Sequence, residues 1–175
     1  MAVRRWYLQH EQENMRQILL YLMRKWYDIV FLSHSIHQED PLADDYIFAR
    51  SFALKYRLPI TRKIRETLEA YRYMDFVIWM RFHSVILSIV HNIPFIALDY
   101  SPKVTEILKK IDYDAHITSK DFDFEKFIIE FEKLENDTES RKLALKKKYD
   151  KIRKDLDLKY NTFLDGLEIT QRESN

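Results

Sequence analysis

Asp75-Phe76-Val77-Ile78-Trp79-Met80-Arg81-Phe82-His83-Ser84 and, nine residues later, Pro94-Phe95-Ile96-Ala97-Leu98-Asp99-Tyr100-Ser101-Pro102-Lys103 decide the fold of this 175-residue chain. Phe76–Met80 and Pro94–Leu98 are short β-branched and aromatic runs, the mark of buried strands. Between them, Phe82–His91 is apolar nearly all round, which predicts a buried helix. Ser101-Pro102 opens the next helix, with a capping residue and then a proline at the first helical position. That helix carries Val104, Ile107, Leu108 and Ile111 on one face, and Ala115–Thr118 is a further strand.

Working outward, the alternation continues. Ala2–Tyr7 reads as a first strand, Glu11–Trp26 as an amphipathic helix on Met15, Ile18, Leu19, Leu22 and Trp26, and Asp28–Ser33 as a buried strand. Asp44 or Asp45 can cap a helix running to about Tyr56. Thr61 can cap another, through Ile64, Leu68 and Tyr71. Strands alternating with helices predict an α/β fold, a Rossmann-like parallel sheet with helices on both faces. Beyond it, Phe124–Leu134 is a short amphipathic helix. Thr138–Gly166 is one long charged helix with the stripe Leu145, Tyr149, Ile152, Leu156, Tyr160, Phe163 and Leu167. That stripe is read as a helix lying against its own domain, with partner binding as the alternative. The expected division is 1–120 for the sheet domain, 121–169 for the C-terminal helices and 170–175 for a disordered tail.

Composition narrows the function classes. With no cysteine, a thiolate metal site, a cysteine nucleophile and a disulfide scaffold are excluded. The one glycine, Gly166, leaves no material for a Gly-rich phosphate loop. The net charge of +1, from 29 basic and 28 acidic side chains, does not call for nucleic acid. Phe76–Leu98 is the most apolar stretch, but Arg81, His83, His91, Asn92 and Pro94 make it a poor bilayer span. Arg4 and Arg5 directly follow the start with no signal-peptide pattern, so a cytoplasmic protein without a transmembrane segment is expected.

In an open parallel sheet, ligands bind beyond the carboxyl ends of the strands. The residues there are Arg4 and Arg5, then His34 and His37, then Arg81, His83 and Ser84, then Tyr100, Ser101 and Lys103. Arg81 offers a fork for carboxylate or phosphate, His83 a proton near neutral pH, and the helix start behind them free N–H groups for an anion. Lys103 sets a second cation at a second helix start. Taken singly, each has a plainer use: a surface ion pair for Arg81, a core histidine for His83, and helix caps for Ser84 and Ser101. Their convergence on one sheet edge favours a site. His34, His37 and Asp40 have no firm metal-ligand pattern and are read as loop surface, so no metal is expected.

Arg81-x-His83-Ser84, followed by the Pro94 strand and Tyr100-x-Pro102-Lys103-Val104, resembles the polysaccharide pyruvyl transferase family. Ala2-Val3-Arg4-Arg5-Trp6 is similar to that family's strand ending in Arg, and Asp44 or Asp45 falls near its acidic loop position. The chain departs from the pattern at Trp79 and Asn92, where small residues or glycine are usual. The resemblance covers roughly residues 1–120. It implies a fold of two Rossmann-like halves of the GT-B kind, with this chain as the C-terminal half. It also implies phosphoenolpyruvate as donor, with no cofactor, and a pyruvyl ketal placed on a sugar of a cell-surface glycan, as in exopolysaccharide biosynthesis. Arg81 and His83 then take the catalytic roles, and Arg4, Arg5, Ser84, Tyr100 and Lys103 bind substrate. A separate N-terminal half or self-association would complete the enzyme. The alternatives are the donor half of a GT-B glycosyltransferase, which the glycine count disfavours, and a non-catalytic partner subunit.

Overall fold

A computed structural model describes residues 11–35, 44–79, 81–99, 101–118 and 122–173. Three parallel strands form one sheet in the order β1-β2-β3: β1 (Val77–Trp79), β2 (Phe95–Asp99) and β3 (His116–Thr118). Val77 pairs with Phe95 and Ile78 with Ile96; Ala97 pairs with His116 and Leu98 with Ile117. The helices are α1 (Glu11–Arg24), α2 (Asp45–Tyr56), α3 (Ile64–Ala70), α4 (Phe82–His91), α5 (Pro102–Lys110), α6 (Phe124–Asn136) and α7 (Thr138–Glu173). A 3-10 turn, Tyr71–Tyr73, follows α3. The fold is α/β with a small open parallel sheet, as the alternation predicts. The first expected strand, Ala2–Tyr7, lies outside the described residues.

The period-2 rule divides the core in two. Ile78, Ile96, Leu98 and Ile117 face one side, where they meet α1, α2 and α6 through Leu19, Phe52 and Phe127. Val77, Phe95 and Ala97 face the other, where they meet α4, α5 and the first half of α7 through Val85, Val104 and Leu145. Helices therefore cover both faces. Of the long stripe on α7, Leu145 is buried, Tyr149 and Ile152 are packed on the core, and Leu156 and Tyr160 are exposed.

Three expectations need correction. In the 28–33 run Ile29, Phe31, Leu32 and Ser33 are buried and Asp28 is exposed, but the run is not a strand of the sheet. Phe31 makes a single parallel bridge to Ile60. The reason is the partner's chemistry: the next groups along the run bond to side chains. Ser33 N–H donates to Thr61 Oγ1 at 3.0 Å and Thr67 Oγ1 donates to the Ser33 carbonyl at 2.9 Å. Pro59 has no N–H to give. Thr61 is therefore a buried strap, and α3 begins instead with the Glu66 carboxylate on the N–H groups of Arg62 and Lys63. Finally, α4 is not buried all round. Ser84, Val85, Ser88 and Ile89 are buried, whereas His83 and Val90 are exposed.

Tyr113 extends the sheet where β3 has not yet begun. Its hydroxyl donates to the Phe95 carbonyl at 2.8 Å and accepts from the Phe95 N–H at 2.9 Å. Its ring stacks on Phe95 with centroids 4.1 Å apart. Burial pushes this phenol up to about 12. Arg141 of α7 lies 5.8 Å over the same ring and bonds Asp114 at 2.6 Å, which fastens α7 to the sheet edge. Tyr113→Phe keeps the ring and removes both backbone bonds. It is expected to cost about 1–3 kcal/mol in urea unfolding; an unchanged midpoint would show that the hydroxyl is dispensable.

Candidate functional site

The site follows from the adjacency of β1 and β2. Parallel neighbours bring their carboxyl ends side by side, so the N-termini of α4 and α5 open at one edge of the sheet. These two helices also pack against each other. Arg81 is the N-cap residue of α4, with His83 on the helix's first turn. Ser101 is the N-cap of α5, with Pro102 at its first position and Lys103 exposed behind it. First-turn N–H groups have no intrahelical acceptor, so each mouth favours an anion.

Arg81 is held by Asp45. Its Nε lies 2.9 and 3.1 Å from the two carboxylate oxygens, and its Nη2 bonds the nearer one. The Arg81 side chain is 14% exposed and that of Asp45 only 1%. The same carboxylate accepts from the backbone N–H groups of His34 and Ser35, at 3.1 and 3.0 Å. Burial pushes the Asp45 carboxyl up, against the pull of Arg81 and these two donors. The capping of α2 falls to the other member of the acidic pair. Asp44 accepts from Tyr46 and Ile47 N–H at 2.8 and 3.1 Å.

Beside this pair, His34 Nε2 lies 2.9 Å from both the Tyr71 hydroxyl and the Ser84 hydroxyl. Nε2 carries either one N–H or one lone pair, so it makes one full hydrogen bond and shares it between the two hydroxyls. Burial, and then the positive charge of His83 and Arg81, lowers the imidazole to about 4. His34 is thus part of the site's framework rather than loop surface. His37 and Asp40 lie outside the described residues. So do Arg4, Arg5 and Tyr100. Among the described residues no three His, Asp or Glu side chains stand together as metal ligands.

Of the expected site residues, the structure brings Arg81, His83 and Ser84 to one helix mouth and Lys103 to the next. Arg81 is partly buried, His83 and Lys103 are exposed, and Ser84 is buried with its hydroxyl on His34. Reading along the chain missed the roles of His34, Asp45 and Tyr71. The only signals were the position of His34 after the apolar 28–33 run and the acidic doublet at 44–45.

Two measurements test this framework. Asp45→Ala leaves Arg81 without its buried partner and is expected to cost about 3–5 kcal/mol of stability. For pH, the unfolded His34 titrates near 6.5 and the folded one lower, so the unfolded chain takes up the proton first. The stability carried by neutral His34 is complete above about pH 6.5 and is lost as pH falls toward 4. His34→Gln should flatten the fall in urea midpoint over that window; an unchanged pH profile would remove His34 from the account.

A family model described as polysaccharide pyruvyl transferase matches residues 2–102. The matched span contains Asp45, Arg81 and His83 and ends on the first residue of α5. No curated protein and no solved structure matches the chain. With more than half of its length under that one family model, and with the Arg81-x-His83 element at a helix mouth beyond a parallel strand, the chain belongs to the polysaccharide pyruvyl transferase family.

Proposed function

We propose that this chain is the phosphoenolpyruvate-binding, C-terminal half of a polysaccharide pyruvyl transferase, with the layout of one half of a GT-B fold. It would form a pyruvyl ketal on a sugar of a cell-surface glycan. The observation that supports this most is the pair of neighbouring helix mouths, α4 with Arg81 and His83, α5 with Lys103. The donor carries a carboxylate and a phosphate, and two mouths with a cation at each suit two anionic groups.

In the reaction, two hydroxyls of the sugar form bonds to C2 of the donor and phosphate leaves. Of the two hydroxyl protons, one balances the proton delivered to C3, which becomes the methyl group, and the other leaves with phosphate. His83, exposed at the mouth of α4, is the acid for C3. Arg81, oriented by Asp45, faces the charge that develops on the leaving phosphate. Lys103 takes the donor's second anionic group. Ser84 acts as a positioning residue, since its hydroxyl is engaged by His34. Arg4, Arg5 and Tyr100 complete the substrate contacts, and a separate N-terminal half or a second copy supplies the acceptor side.

Calorimetric titration of the chain with phosphoenolpyruvate tests the donor, with nucleotide sugars as the competing class. Saturable binding of phosphoenolpyruvate alone is expected. Arg81→Ala should weaken it by about 1.5–3 kcal/mol. His83→Ala should spare donor binding and lower ketal formation by roughly 10²–10⁴ in the enzyme reconstituted with its acceptor half. Preference for a nucleotide sugar, or full turnover in both variants, would sink the assignment.

A further inference from the structure

A cavity opens at the amino end of β1, the end away from Arg81. Its volume is about 380 Å³, and its lining includes Trp26, Asp28, Tyr73, Asp75 and Phe76. Two aromatic rings stand out from the surface there: Trp26 is 94% exposed and Tyr73 82%. Among the described residues neither ring has an aromatic partner and neither Asp28 nor Asp75 has a cation partner.

Folding does not account for the indole. Trp26 ends α1 with φ of 62°, a left-handed position where glycine is usual and a bulky side chain is disfavoured. The turn is closed by backbone bonds alone, from Trp26 N–H to the Met23 carbonyl and from Tyr27 N–H to the Leu22 carbonyl. Any residue could make them. A tryptophan here costs backbone strain and exposes a large apolar ring.

The chemistry of the lining selects a ligand class. Flat rings offer apolar faces to the C–H face of a pyranose, and ionised carboxylates accept only, which suits hydroxyl donors. Two carboxylates with no cation beside them repel an anion. We propose that this cavity is a second carbohydrate site that holds a neutral glycan, with pyranose rings on Trp26 and Tyr73 and their hydroxyls on Asp28 and Asp75. The site is at the opposite end of β1 from Arg81 and does not depend on the donor reading.

The test is titration of the full chain with neutral β-linked hexasaccharides of glucose, galactose and mannose, and with a hexasaccharide of uronic acids, followed by calorimetry. No turnover is read, so failure here is distinct from failure of the catalytic assignment. At least one neutral series is expected to saturate, and the uronic acid series to bind more weakly. Trp26→Ala should weaken binding about tenfold, and Asp75→Asn by a smaller factor. The unfolding midpoint should not fall in either variant, because both side chains are exposed. The proposal is overturned if no neutral series saturates, if the uronic acids bind better, or if Trp26→Ala keeps full affinity. It is equally overturned if sedimentation shows a dimer that Trp26→Ala dissociates, because a second copy would then be the occupant.

Discussion

One buried carboxylate ties together three stretches that are far apart in the chain. Asp45 begins α2, accepts from the backbone of His34 and Ser35, and grips Arg81 at the mouth of α4. Two charges taken out of water are costly unless geometry and further hydrogen bonds offset the desolvation. Here both carboxylate oxygens are engaged and the guanidinium is met side-on. The segment 34–35, the start of α2 and the start of α4 are therefore fixed with respect to one another.

His34 extends that framework. Held neutral by burial and by positive neighbours, it bonds the hydroxyls of Tyr71 and Ser84 through Nε2. Tyr71 closes the turn after α3, and Ser84 stands on the first turn of α4. The result is a layered site. An inner set, Asp45, His34, Tyr71 and Ser84, holds Arg81 and the first turn of α4, and Lys103 stands at the next helix mouth. Preorganisation of this kind matters where an anion must be met without rearrangement.

The sheet edge shows a similar economy. Among the described residues the sheet has three strands, small for two covered faces, and side chains complete what strands would do elsewhere. Tyr113 bonds both backbone groups of Phe95, and Thr61 and Thr67 bond those of Ser33. Arg141 and Asp114 then hold α7 beside Tyr113, while the apolar stripe of α7 is buried only as far as Ile152.

Residue order alone determined the alternation of elements, because helical and strand periods are local properties. Phe82–His91 and the Ser101-Pro102 start are legible from caps, proline and spacing. So is the placing of Arg81, His83 and Lys103 beyond parallel strands, since topology carries strand ends to one edge. Tertiary structure decided the rest. Asp28–Ser33 has the composition of a strand, yet beyond the one bridge at Phe31 the backbone groups of Ser33 bond to threonine side chains 28 and 34 residues away in sequence. Asp44 and Asp45 are equivalent as letters, yet one caps a helix in the usual way and the other is buried against Arg81. His34 looked like loop surface because its partners lie 37 and 50 residues further on. Hydrogen bonds between distant segments leave no periodicity in the sequence, so only the folded chain reveals which polar residues share a pocket.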